Sequence, residues 1–471
     1  MKPSGELAES SAASPAGDAT ERRSALLVST LASFLTPLQA SSVVVALPRI
    51  GQDFAMDPVW VSWVITAFVL SAAIFLVPFG RLADIHGRKR VFARGVEIFT
   101  VASLLCALAP TAGFLIAARA IQGFGSTMIF GTGVAILTSV YPASERGRVL
   151  GINVAAVYVG LSVGPPVGGL LTQHFGWRSI FVVAAVLGLA IVFATWTRLR
   201  GEWAEARGEA FDGVGAVLYG VALVLLMLGL SRVPAASGTA LLLAGTAAFA
   251  GFIGWERRTP SPMMALDLFR GNPVFTFSNL AALIHYSATF GSTFLLSLYL
   301  QYVRGLGPQA AGLVLLAQPV VMALGSPFAG RLSDRVEPRT VASVGMGLTA
   351  AALGFFSLLG TDTPLQLICA NLGLSGLGFA LFSSPNTNAV MGAVEKRSYG
   401  LASAIIGTMR LVGHMLSVGI AALLLAMYVG RQPVTAALHP AFMDAAGRAF
   451  AIFAGLCVAG IFASLARGKV R

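Results

Sequence analysis

The chain reads as an all-α polytopic membrane protein of fourteen transmembrane helices. Three observations predict this: a mean hydropathy of +0.80, only 11% charged residues, and a succession of long apolar runs along 471 residues. Soluble proteins carry about 25% charged residues, so a soluble fold of this length would have too few charges to cover its surface. About 20 apolar residues cross the hydrocarbon core, where only helices and closed barrels satisfy their backbone. The runs here lack the alternating polar residues of barrel strands, which leaves helices.

The segments fall, in order, at 25–47, 60–79, 91–110, 113–135, 150–172, 178–197, 213–231, 238–255, 274–302, 309–329, 340–360, 365–388, 401–426 and 447–466. An even number puts both termini on one side. With the N-terminus inside, 24 Lys and Arg lie in the tails and cytoplasmic loops, counting Arg94 at a span edge. Six lie outside, at Arg49, Arg178, Arg232, Arg304, Arg431 and Arg448, and Arg119 and Arg410 lie within spans. That asymmetry places both termini in the cytoplasm of a cell (inner) membrane protein. The first 24 residues are polar and lack the apolar core and cleavage site of a signal peptide. They read as a flexible cytoplasmic tail anchored by Arg22 and Arg23.

The net charge of +12 does not point to nucleic acid, because the cations are spread over short loops instead of forming one patch. Cys106, Cys369 and Cys457 each sit in an apolar run, which suits packing and gives no disulfide framework.

An internal repeat organises the chain. Gly80-Arg81-Leu82-Ala83-Asp84 follows the second span and Gly330-Arg331-Leu332-Ser333-Asp334 follows the tenth, each preceded by a Pro-Phe pair. Eight spans separate the copies. Two six-helix bundles with two extra spans between them account for that spacing. The expected organisation is a tail (1–24), an N-terminal bundle (25–200), the extra spans with linkers (201–272) and a C-terminal bundle (273–471). Parallel halves of this kind place a transport site between them near the midplane.

The loop after the second span runs from Gly80 to Arg90, with Gly87, Arg88 and Lys89 in its turn. Asp84 can accept charge-assisted hydrogen bonds from arginines and from a helix N-terminus, so the loop is suited to latch the inner ends of two halves. This segment resembles the cytoplasmic loop signature of the major facilitator superfamily. Arg119-Ala120-Ile121-Gln122-Gly123 resembles the superfamily's motif in the fourth span. Gly160 to Gly169, with Gly164, Pro165 and Gly168, is similar to the antiporter motif of exporters. Its glycines allow close helix approach and its prolines kink the span. The stretches at 63–68, 299–301, 385–387 and 407–410 also resemble the 14-span drug:proton antiporter branch. The resemblance covers nearly the whole chain beyond residue 25. It implies a secondary transporter that exports amphipathic small molecules by alternating access in exchange for protons.

One position departs from that branch, which carries an acid a few residues before Ala46-Leu47-Pro48. Here the position holds Gln39. At 1.5 Å per residue, Gln39 and Arg119 lie at similar depths, roughly 12 and 9 Å below the outer end, so the absent carboxylate would have faced Arg119. Gln39 can hydrogen-bond to Arg119 but cannot exchange a proton with it. A carrier not driven by protons (a facilitator, lipid transporter or exchanger) is the alternative, and a receptor or scaffold without transport is the alternative of another class.

Ionisable groups inside a membrane are functional candidates. Besides Arg119 they are Glu97, His285, Arg410 and His414, the last two four residues apart on one helix face. Glu97 can instead pair with Arg94. The candidate substrate or proton site comprises Gln39, Glu97, His285, Tyr286, Asn386, Arg410 and His414. Arginines outweigh acids at depth, which leans towards neutral, zwitterionic or anionic amphiphiles. No nucleotide-binding loop, metal-ligand spacing or catalytic set is present in the sequence. A non-enzymatic carrier without cofactor or metal is expected. Its expected partners are a small amphipathic substrate, protons and the bilayer, with the chain acting as a monomer.

Overall fold

The computed structural model describes residues 15–204, 208, 210–260, 262–264, 266–333, 335–395, 399–430 and 432–468. Asp334 of the repeat and the first fourteen residues of the tail lie outside them. The described chain is helical throughout its spans. The helices are α1 (Pro15–Asp53), α2 (Pro58–His86), α3 (Arg88–Ala107), α4 (Ala112–Val140), α5 (Ala143–Phe175), α6 (Arg178–Arg198), α7 (Gly213–Arg232) and α8 (Ala236–Glu256). They continue as α9 (Pro273–Leu298), α10 (Pro308–Leu315), α11 (Ala317–Ser333), α12 (Pro338–Phe356), α13 (Leu365–Gly392), α14 (Tyr399–Tyr428) and α15 (His439–Ala466).

α10 and α11 are two pieces of one span. Pro319 has no N–H to give the Leu315 carbonyl, so the helix breaks beside Leu316. Fourteen spans result, as the sequence predicts. Thirteen are long and apolar enough to cross a membrane by composition alone. The exception, α3, carries Arg90, Arg94 and Glu97, yet it is 20 residues long and packs against α4 and α6.

Local chemistry fixes the helix starts. Asp57, Thr111, Asp212 and Asn272 cap α2, α4, α7 and α9 by accepting from the N–H three residues on. Pro58, Pro273, Pro308 and Pro338 open helices where no N–H is needed. Two boundaries differ from the apolar segments. α1 begins at Pro15 and not at 25, because an Ala-, Glu- and Arg-rich stretch after a first-turn proline is helical without being apolar. Residues 15–24 are therefore helix and not a flexible tail. α15 begins at His439, eight residues before 447, because Asp444 and Arg448 interrupt the apolarity but not the helix.

α1–α6 form one bundle and α9–α15 the other, each packed chiefly within itself. The bundles meet where α2 faces α14, where α5 faces α10 and α11, and where α1 faces α9 and α10. α7 and α8 form a hairpin whose α7 lies against both α2 and α14, so the extra pair flanks one seam between the halves. Tyr219 of α7 is buried there and donates to the Ala73 carbonyl of α2 at 3.3 Å.

Candidate functional site: the cleft between the halves

In the N-terminal half, α1, α2, α3 and α4 converge on Arg119. Its Nε donates to the Val64 carbonyl at 2.9 Å, and its Nη1 donates to Gln39 Oε1 at 3.2 Å and to Gln122 Oε1. Gln39 Nε2 donates to Gln122 Oε1 at 3.3 Å, and Gln122 Nε2 donates to Ser103 Oγ at 2.7 Å. The guanidinium lies 4.3 Å from the Phe68 ring centre. Arg119, Gln39 and Gln122 are all buried. Every acceptor in this network is neutral. A carboxylate at 39 would have reached the guanidinium directly.

The face opposite the 81–90 turn is sealed. Pro48 lacks the N–H that would occupy the Val44 carbonyl, and Ser297 Oγ of α9 donates to that carbonyl at 2.8 Å. One residue on, Gln301 Nε2 donates to the Val45 carbonyl at 2.9 Å, and Tyr302 OH donates to the Pro48 carbonyl at 3.4 Å. Gln301 and Tyr302 sit in a π-helical turn, Tyr299–Val303, that continues α9. The extra residue of such a turn re-aims side chains, here onto α1. Beside it, Gln309 meets His174 and Gln173 of α5. Among the described residues these five hydrogen bonds are the ones that cross between the halves, and all five lie at this face.

The glycines of α5 explain the approach. A Cβ on Gly160, Gly164 or Gly168 would come within 2.8 Å of α1 atoms around Phe34, Leu38, Ser41 and Ser42. A Cβ on Gly169 would strike the Pro308 carbonyl of the other half at 2.5 Å. In the opposite direction, a Cβ on Gly312 would strike the Pro165 carbonyl at 2.2 Å. Gly123 likewise lets α4 touch the α2 backbone at Phe68.

On the basic face the turn between α2 and α3 is held within its own half and by the linker. Arg88 donates from Nε to Asp84 Oδ1 at 2.9 Å and from Nη1 to Ser139 Oγ. Gly87 takes φ +112, which only glycine adopts without strain. The Lys89 N–H donates to Glu202 Oε1 at 3.0 Å, the Arg88 N–H donates to the Trp203 carbonyl at 2.8 Å, and Arg90 pairs with Glu202 at 3.5 Å. Among the described residues, no hydrogen bond crosses between the halves at this face. In the second copy of the repeat, Gly330 and Arg331 close α11, where Gly330 accepts from Ser333.

In the C-terminal half, Tyr286 of α9 and His414 of α14 lie with ring centres 5.5 Å apart, and His414 stacks on Phe290 at 4.1 Å and 14°. Arg410 is exposed one turn before His414. α14 lies against the other half just before this group: a Cβ on Gly407 would come within 3.1 Å of Leu76 of α2.

The structure thus separates the candidates read from sequence. Gln39, Arg119 and Gln122 form one network. Tyr286, Arg410 and His414 form a second group. His285 belongs to neither: it is buried against Phe382 at 4.0 Å, and neither ring nitrogen has a partner. Glu97 accepts from Arg94 at 3.1 Å and from Trp196 at 2.8 Å, at the α3–α6 contact.

Asn386 donates to the Ser278 carbonyl and accepts from Arg467 at 3.1 Å. Arg467 is a buried residue that the sequence reading counted among tail cations. Burial pushes its guanidinium down to about 10, against the pull of Glu337, so it stays charged at neutral pH. Sequence reading also missed Ser297 and Tyr302, although the carbonyl freed by Pro48 was a signal that some donor must arrive. Outside the cleft, a cavity of about 620 Å³ lies at the α7–α8 tip beside Arg232, Pro234 and Ala426.

The Major Facilitator Superfamily model matches residues 29–307 and 278–469. The riboflavin transporter RibZ of Clostridioides difficile is 28% identical over 439 residues, covering 93% of this chain and 95% of that protein. The multidrug resistance protein Stp of Mycobacterium tuberculosis is 33% identical over 411 residues, covering 86% of this chain and 76% of that protein. Among solved structures, a bacterial homolog of the human lysosomal transporter Spinster, in an inward-facing and unoccupied conformation, superposes with a TM-score of 0.71. It is 18% identical, over 95% of this chain and 97% of that one, which establishes a shared fold.

Proposed function

The chain belongs to the major facilitator superfamily, in its drug-efflux-like branch, and we propose that it exports amphipathic small molecules across the cell membrane by alternating access. The observation that carries this reading is the seal at one face of the cleft, where five hydrogen bonds cross between the halves. The positive-inside rule makes the basic face cytoplasmic, and an exporter sealed at the opposite face loads from that side. The relatives' printed names, a riboflavin transporter and a multidrug resistance protein, support small organic substrates.

Exchange for protons is the coupling we propose within this reading. The Arg119 network favours a second reading, a carrier that needs no protons, because Gln39 supplies no titratable group where the branch has an acid. One experiment separates them. The protein is reconstituted with a pH dye inside the vesicles, and riboflavin and a panel of cationic, neutral and anionic amphiphiles are added. Substrate accumulation driven by an acid interior, with matching proton efflux, is the expected result. Saturable entry with a flat dye signal would assign the second reading. Absence of entry for every class would reject transport.

A further inference from the structure

We infer that Arg410 is the headgroup site of the cleft and that it takes an anion, so that the substrates are amphipathic anions such as carboxylates, sulfonates or phosphate esters. This rests on the transport reading but not on proton coupling.

Arg410 sits about 16 Å along α14 from its first residue. It is exposed, and among the described residues it has neither a hydrogen bond nor an ion pair. Its position is fixed by its neighbours. Three residues before it, Gly407 faces α2 of the other half, where a Cβ would come within 3.1 Å of Leu76, and three residues after it, Gly413 faces Tyr286 of α9 at 2.7 Å. The one acid well inside a span, Glu97, is taken up by Arg94 and Trp196 at the α3–α6 contact.

The other deep arginine of the cleft region, Arg119, already has Val64, Gln39 and Gln122 as acceptors. Arg410 is therefore a cation with unused donors, placed between the halves. A guanidinium presents a planar fork that matches two oxygens of a carboxylate, sulfonate or phosphate. An uncompensated charge in a low-dielectric enclosure is costly, so closing the cleft on an empty Arg410 is disfavoured and closing it on an anion is not. A cationic amphiphile meets the opposite situation and is repelled. Phe290, His414 and Tyr286 supply an aromatic wall for the substrate's body.

The test uses the full chain in nanodiscs of phosphatidylcholine, which carries no net charge. Binding of naphthalene-2-sulfonate is compared with binding of 1-naphthylmethylammonium, and inorganic phosphate is tried as a competitor. Wild type should bind the sulfonate saturably and at least tenfold more tightly than the ammonium. Arg410→Gln should weaken the sulfonate tenfold or more while leaving the ammonium no weaker. Arg410→Lys, which keeps the charge and loses the fork, should fall between. Each variant is checked by elution profile and melting temperature. Should Arg410→Gln fail to fold, the wild-type preference and the lysine variant still decide.

Equal affinity for the two probes, or undiminished sulfonate binding in Arg410→Gln, overturns the inference. Phosphate binding as tightly as the sulfonate would make this a site for free inorganic anions and overturn the amphiphile. Sulfonate binding without movement in liposomes would reject the transport reading and leave the anion site standing. Movement of amphiphiles regardless of charge would do the reverse.

Discussion

Arg119 and Arg410 are both arginines held well inside helices, one in each half, and their surroundings are opposite. Arg119 is buried among the Val64 carbonyl, two glutamines and the Phe68 ring, and its network joins α1, α2, α3 and α4. Arg410 is exposed one turn before His414, and among the described residues no hydrogen bond or ion pair takes its donors. The same side chain thus serves as a structural hub in one half and as an available charge in the other. Residue type and depth in a span do not distinguish those roles. The supply of acceptors does.

Several substitutions would break or sharpen this contrast. The largest effect belongs to Arg119→Ala, which leaves Gln39 and Gln122 facing a buried void. Loss of charge-assisted hydrogen bonds should cost about 3 kcal/mol, seen as a sharp fall in melting temperature and in the yield of monodisperse protein. Gln39→Glu restores a charged acceptor at 3.2 Å from Arg119. It should stabilise the fold by about 1 kcal/mol and enlarge the proton-linked signal in dye-loaded vesicles.

Ser297→Ala removes the donor from the carbonyl that Pro48 frees. An inter-helix hydrogen bond in a membrane averages about 0.6 kcal/mol, so the population open at that face should rise about threefold, read as labelling of a cysteine placed in the cleft. Arg410→Gln should change the melting temperature least, within about 0.5 kcal/mol, despite its effect on sulfonate binding. A large destabilisation there would erase the distinction between the two arginines.

The sequence made the spans, the repeat and the partnership of Gln39 with Arg119 readable, because apolar length, motif spacing and helical rise are properties of one dimension. Lateral placement was not readable. Glu97 and Asn386 look like cleft residues by depth, yet one lies at the α3–α6 contact and the other against Arg467. His285 and Tyr286 are adjacent in sequence, but the first packs against Phe382 while the second meets His414 of α14. The latch expected at the 80–90 loop shows the same limit. Among the described residues, Arg88 bonds to Asp84 and Ser139, and the 88–90 stretch to Glu202 and Trp203, while Asp334 of the second copy lies outside them. Helix ends also escaped apolarity, as Pro15 and His439 show.

The central claim is that the two halves open and close on alternate faces, and the α5–α10 contact tests it most directly. Gln173 and Gln309 touch across the halves at the sealed face. Cysteines at both positions, in a background without Cys106, Cys369 and Cys457, can be joined by a short bifunctional thiosulfonate in reconstituted vesicles. Tracer movement of a transported amphiphile is then measured before and after reduction. The account predicts efficient cross-linking, arrest of transport in the joined protein and full recovery on reduction. Transport that continues at its original rate with the two helices joined would contradict it.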